Sequence, residues 1–231
     1  MGKEEGAHME ASPRAGRWDC DVEAARYALS RRLVPVLRHH LVVNLQPISI
    51  LIEVADHRIA TREPNPGSIH DTLTRVSRLA RASIASSLDV VGWLSPDDCI
   101  VTALEAGVED CLGMLRSNFT FRGFTVNNRA GDADMPVSRT AVREVFSAAL
   151  IAATDTATRP VRIDVRAQTD AGMSVLTMST HTLEAEGNDD VVVYRALNWG
   201  DVKALARAHG VVLEQGNGVA RLSFREAANA T

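Results

Sequence analysis

The stretch Leu37-Arg38-His39-His40-Leu41-Val42-Val43-Asn44-Leu45-Gln46-Pro47-Ile48-Ser49 decides how the chain is read. Leu37, Leu41, Leu45 and Ile48 recur at the spacing of one face of an α-helix. Followed outward, the seam takes in Val34, Ile52, Ala55 and Ile59, close to a heptad stripe, so a helix is expected from about Asp19 to Thr61. Pro35 and Pro47 each remove an intrahelical donor and can kink this rod. At about 100° per residue, His39 projects roughly 160° from the seam centre and His40 roughly 100°. An imidazole is therefore expected in solvent midway along a bundle helix.

The rod breaks at Arg62-Glu63-Pro64-Asn65-Pro66-Gly67-Ser68, where prolines and a glycine predict a hairpin loop. Ser68 is the expected N-cap of a second helix, with Asp71 three residues on. That helix runs from about Ile69 to Trp93 on the stripe Ile69, Leu73, Val76, Ala80, Ser83, Ser87 and Val91, with Leu79, Ile84 and Leu88 beside it. Arg75, Arg78 and Arg81 lie off the stripe and read as a solvated face. One antiparallel hairpin cannot enclose its own seam, so a homodimer that joins two hairpins into a four-helix bundle is expected.

Leu94-Ser95-Pro96-Asp97-Asp98 closes the hairpin. Beyond it, Cys99–Arg116 reads as helix and Phe119–Asn127 as strand; Pro136–Ala153 starts extended and turns helical near Ser138. Val161–Ala167 and Met173–Met178 read as strands around a turn at Gln168–Gly172. Asp201–His209 is helix, and Gly210–Glu214 and Gly218–Phe224 are strands around Gln215-Gly216-Asn217. This order predicts an α+β fold, with helices on one face of a mixed or antiparallel sheet. The expected organisation is a tag-like or disordered N-terminus (1–17), a helical hairpin (18–95), an α/β sandwich (96–226) and a short tail (227–231).

Composition narrows the function classes. The chain has 231 residues, 45% of them apolar and 23% charged, enough for a folded core. A net charge of −4 and an aromatic share of 4% argue against a nucleic-acid partner. No stretch approaches a membrane span, and the polar start lacks the apolar core of a secretory signal. Cys20, Cys99 and Cys111 form no metal or redox spacing and are expected as small buried residues of a reduced, cytoplasmic protein. His57, His70, His181 and His209 show no metal-ligand spacing, and Gly216-Asn217-Gly218 reads as a hairpin turn.

The segment His39–Ile48 resembles the H-box of sensor histidine kinases, in which an acceptor histidine is followed by an aliphatic residue two on, a leucine six on and often a glutamine next. His39, Leu41, Leu45 and Gln46 fit that pattern. The second half resembles the ATP-binding (Bergerat) domain of the same family. Cys99–Arg116 with Phe121–Val126 matches its opening helix and strand, Val142–Asp155 its nucleotide-side helix, and Gly210–Phe224 its final hairpin. The resemblance implies a dimeric four-helix bundle carrying His39 as phospho-acceptor, with His40 as the fallback, in two-component signalling.

Several positions depart from the pattern. The acid that follows the acceptor in active kinases is replaced by His40. The polar residue four beyond it, which positions a hydrolytic water, is replaced by Val43, with Asn44 one place out of register. Ser147–Asp155 lacks the asparagine that holds Mg²⁺, and Asp155 stands only at its end. Val175–His181 lacks the Asp-x-Gly-x-Gly box, and the Thr182–Arg195 stretch is short and acidic (Glu184, Glu186, Asp189, Asp190). ATP binding is therefore not expected, and no cofactor is. The reading that follows is a histidine phosphotransferase relaying phosphate between receiver-domain aspartates through His39. Arg38, His40 and Asn44 would shape docking, and Mg²⁺ would come from the receiver's own acidic pocket. The alternative is a pseudokinase that binds a response regulator without carrying phosphate.

Overall fold

The computed structural model describes residues 19–61, 65–95, 97, 99–131, 133–157, 160–170, 172–184 and 195–227. The tag-like start, Pro96, Asp98, Glu186, Asp189 and Asp190 of the sequence reading lie outside them. No helix among the described residues is long and apolar enough to cross a membrane.

Helix α1 (Cys20–Ile59) is a single rod through both prolines. Asp19 caps it by accepting from the amides of Asp21 and Val22, and Asp21 and Glu23 add negative charge where the helix dipole is positive. Helix α2 (Pro66–Leu94) starts three residues earlier than expected. Asn65, not Ser68, is its N-cap and accepts from the Ser68 amide at 3.2 Å. The reason is Pro66: at the first helical position its fixed φ suits the helix and its missing N–H costs nothing.

The two helices are bound face to face. Asn44 Nδ2 donates to Ser86 Oγ at 2.9 Å, Ser83 Oγ donates to the Asn44 carbonyl at 2.9 Å, and Arg58 Nη1 donates to Thr72 Oγ1 at 2.8 Å.

Strand β1 (Val101–Ala103) pairs antiparallel with β3 (Pro136–Ser138), so the helix expected from Cys99 begins only at Leu104. That helix, α3 (Leu104–Phe121), then runs through the start of the strand expected at Phe119, leaving β2 as Thr125–Arg129. Helix α4 (Arg139–Ala141), a π-helical turn (Val142–Phe146) and α5 (Ser147–Asp155) follow as one continuous column. After it come β4 (Val161–Asp170), β5 (Met173–Thr182), α6 (Trp199–Ala208), β6 (Val212–Gly216) and β7 (Val219–Arg225).

The main sheet has the order β2-β4-β5-β7-β6. β2 and β4 are parallel and every other pair is antiparallel, the mixed sheet that the element order predicts. The turn between β6 and β7 is made by Asn217 (φ 50°) and Gly218 (φ 73°), the left-handed pair a two-residue hairpin needs. Val161, Ile163 and Val165 alternate inward on β4, and Leu222 and Phe224 do so on β7. They pack against α5, whose residues Ser147–Thr154 are all buried, and against Leu205 of α6. A helix apolar on every side belongs at the centre of a body, and α5 lies there.

Helix α1 divides into two environments. Val22, Ala25, Ala28, Leu29, Leu33 and Leu37 are buried in the same core cluster as the sheet and its helices. Past Leu37 most of the apolar seam stays open, with Leu45 49% exposed, Ile52 46% and Ile59 54%, while Ala55 is buried.

Candidate functional site

His39 stands on α1 where its buried half gives way to its open half. It lies four residues after Pro35 and eight before Pro47. Each proline removes one intrahelical N–H donor, one on either side of the histidine. His39, His40 and Arg38 are exposed. Among the described residues neither imidazole takes part in a hydrogen bond or ion pair, so their ring nitrogens face solvent. Asn44 is placed differently from the other expected docking residues. It is half-buried, and its amide donates both to the His40 carbonyl at 2.8 Å and to Ser86, so it ties α1 to α2. Val43 is exposed and offers no polar atom beside the ring.

Three ionic groups, two on α1 and one on α2, fix the hairpin against the body. Asp155, the last residue of α5, has a side chain 0% exposed. It accepts two bonds from Arg32 of α1, one from Arg122 Nη2 at 3.2 Å and one from the Leu197 amide at 3.1 Å. The position suggested by sequence as an oxygen ligand is thus consumed by two guanidinium groups. Arg32 precedes His39 by seven residues, about 10 Å along the helix.

Glu144, in the π-turn, accepts from Arg26 Nε at 3.1 Å and lies 2.7 Å from His209 Nε2. Burial alone would raise the Glu144 carboxyl, but the bonds from His209 and Arg26 outweigh it and hold the group below its ordinary value. Arg143 donates to Asp110 at 2.8 Å through Nε and to Asp89 of α2 at 2.7 Å through Nη2, and its guanidinium lies 4.5 Å from the Trp93 ring centre. The π-turn therefore sends Arg143 toward α2 and Glu144 toward α1.

Sequence reasoning missed these groups. His209, which shows no metal-ligand spacing in sequence, is packed in the body with its ring on Glu144. Arg32 and Asp155 are 123 positions apart, and no local pattern joins them. The cysteine expectation is corrected in part: Cys111 is buried, with its thiol pushed up to about 12 by desolvation, but Cys20 and Cys99 are exposed.

A cavity of about 290 Å³ lies between the end of α5 and the sheet. Its lining includes Ala153, Thr156, Met178, Thr180, Trp199 and Gln215 and, among the described residues, no charged residue. Magnesium is held by hard oxygen ligands, usually with a carboxylate, and triphosphate by cations. The residues present do not fit either group. Among the described residues, no cluster of three or more His, Cys, Asp or Glu could hold a metal ion.

No family model and no curated protein matches the chain. Solved structures similar to it include the histidine kinase AdeS of Acinetobacter baumannii, at 12% identity over 77% of this chain and 96% of that one, with a TM-score of 0.46. A histidine kinase of Burkholderia phymatum is 16% identical over 88% and 98% of the two chains (TM-score 0.45), and a bacterial phosphotransferase 12% identical over 93% and 100% (TM-score 0.38). These structural neighbours are histidine kinases and a phosphotransferase. At such identities and scores their likeness carries nothing about activity.

Proposed function

We propose that the chain is a histidine phosphotransfer protein acting through His39, with His40 as the fallback acceptor. The observation that carries the reading is an imidazole on the exposed face of α1 with no hydrogen bond or ion pair among the described residues, in a fold whose cavity beside α5 has no charged lining among them. A ring nitrogen that bears no hydrogen attacks the phosphorus of a receiver's aspartyl phosphate. A P–N bond forms while the P–O bond to the carboxyl oxygen breaks, returning the receiver's aspartate as a carboxylate. The other ring nitrogen sheds its proton to solvent. Transfer to a second receiver reverses these steps. The receiver's own acidic pocket supplies the Mg²⁺, and Arg38 and His40 flank the incoming surface.

The working unit is a homodimer. The half-exposed Leu45, Ile52 and Ile59 of α1, with Leu73, Ile84 and Leu88 of α2, form the apolar face that a second hairpin would cover. One observation favours the scaffold alternative: no carboxylate bonds to His39 among the described residues, so no side chain there serves as its base. Incubation with a phosphorylated receiver separates the two. A phosphotransferase acquires acid-labile phosphate, which His39→Ala abolishes without changing the oligomeric state. A scaffold binds the receiver and stays unlabelled.

A further inference from the structure

The face of the main sheet turned away from the helices carries a charge opposite to that of the whole chain. The register puts Arg129 of β2, Arg166 of β4, Thr177 of β5 and Arg221 of β7 at one level across four strands. All three arginines are exposed, and none takes part in an ion pair among the described residues. Arg162 and Arg225 share the face. Against these five cations stand three carboxylates, in a chain of net charge −4.

One of the three, Asp164, is already occupied: it accepts from Asn127 at 2.8 Å and lies 3.2 Å from His181 Nε2 and 3.6 Å from Arg162 Nε. The Asn127 bond first, then the charges of Arg162, His181 and Arg129, keep its carboxyl below the ordinary range. Asp170 lies at the end of β4, and Glu214 of the edge strand β6 is the direct register partner of Arg221, so the row ends on a carboxylate and the face keeps an excess of two positive charges.

Arg129 and Arg166 are direct register partners, a like-charge pairing that weakens a sheet unless something negative lies over it. Neighbouring strands are about 4.8 Å apart, so Arg221 stands about 10 Å from Arg166 along the row. In an extended segment, side chains at alternate positions fall about 7 Å apart, and long guanidinium arms span the difference. Thr177 adds a hydroxyl between the two arms. Among the described residues no Phe, Tyr or Trp lies on this face, and its one imidazole, His181, is engaged with Asp164, so bases would find no broad platform to stack on. Charge complementarity without a stacking platform selects carboxylates over nucleic acid.

We propose that the row Arg129–Arg166–Arg221 docks an extended Asp/Glu-rich segment of a partner protein on the open face of the sheet. This surface is remote in sequence from His39 and does not depend on phosphotransfer.

The test is fluorescence anisotropy of a labelled hexaglutamate peptide with the full chain, at low and at physiological salt. Saturable binding that weakens with salt is expected, with Arg166→Glu/Arg221→Glu weakening it at least tenfold while the circular dichroism spectrum stays unchanged. If charge reversal disturbs folding, Arg166→Gln/Arg221→Gln reads the same loss at smaller amplitude, and the lysine pair restores part of it. Absence of saturable binding, or equal binding by wild type and variants, would overturn the proposal. So would a labelled single-stranded oligonucleotide that binds more tightly than the peptide and is released by the same substitutions, since the face would then belong to nucleic acid.

Discussion

The two halves of α1 have similar apolar patterns and different fates. From Val22 to Leu37 one face of the helix is embedded in the body, with Val22, Ala25, Ala28, Leu29, Leu33 and Leu37 nearly dry. From Leu41 to Ile59 its described side-chain partners are on α2, and Leu45, Ile50, Ile52 and Ile59 remain about half exposed. The difference shows that an apolar stripe specifies burial but not the partner that provides it. Near the body the chain supplies its own cover through α3, the π-turn and α6, locked by Arg32–Asp155 and Arg26–Glu144. In the distal hairpin that cover is missing, and on the proposed reading a second copy supplies it. His39 lies at the junction, held by the rigid half and displayed at the edge of the open one.

The largest expected effect comes from breaking the rigid half. Asp155→Ala removes the carboxylate that Arg32 and Arg122 share in a largely buried site, which should cost about 3–5 kcal/mol. Urea unfolding measures it, and a loss below about 1 kcal/mol would mean that the triad does not clamp α1. In the open half, Ile84→Glu with Leu88→Glu puts charge on the exposed face of α2. Sedimentation should then change from dimer to monomer, with the body's hydrogen-exchange protection intact. A wild-type monomer would contradict this prediction.

Acid should act on the rigid half first. Glu144 and Asp201 have carboxyls below their ordinary values of 4.5 and 3.8: the bonds from His209 and Arg26 override burial in Glu144, and the Arg195 bond dominates in Asp201. A depressed carboxylate contributes its stability above the unfolded-state value and loses it as pH falls through the lower folded value. Stability should therefore hold near neutrality and decline as pH drops below about 4.5. Glu144→Gln should flatten that decline, while an unchanged acid limb would assign it elsewhere. The smallest effect is chemical: at pH 8 a thiol reagent should modify two cysteines per native chain, because Cys111 is buried and its thiol lies near 12. A third rapid modification would show that the core opens at α3.

The features legible in sequence were those with a local cause. The spacing of Leu37, Leu41, Leu45 and Ile48 placed His39 on the outside of a helix, because angular position follows from counting residues. Asn217-Gly218 announced its hairpin through backbone chemistry, and alternation revealed β4. Features set by distant partners were hidden. Val101–Ala103 becomes strand because Pro136–Ser138 pairs with it, and in isolation it reads as the start of α3. Asn65 and Ser68 can both cap a helix, and Pro66 decides between them only once the turn has formed. The same limit hid the environment of Asn44, whose partner Ser86 lies on the other helix. The role of Asp155 was hidden because Arg32 and Arg122 reach it only in the folded body.

The most direct test of the phosphotransfer account is to incubate the chain with a phosphorylated receiver domain and map the label on the wild type, His39→Ala and His40→Ala. The account predicts acid-labile, base-stable phosphate on His39, lost in His39→Ala and retained in His40→Ala, with both variants still dimeric. No label on the wild type, or label undiminished in both single variants, would contradict it.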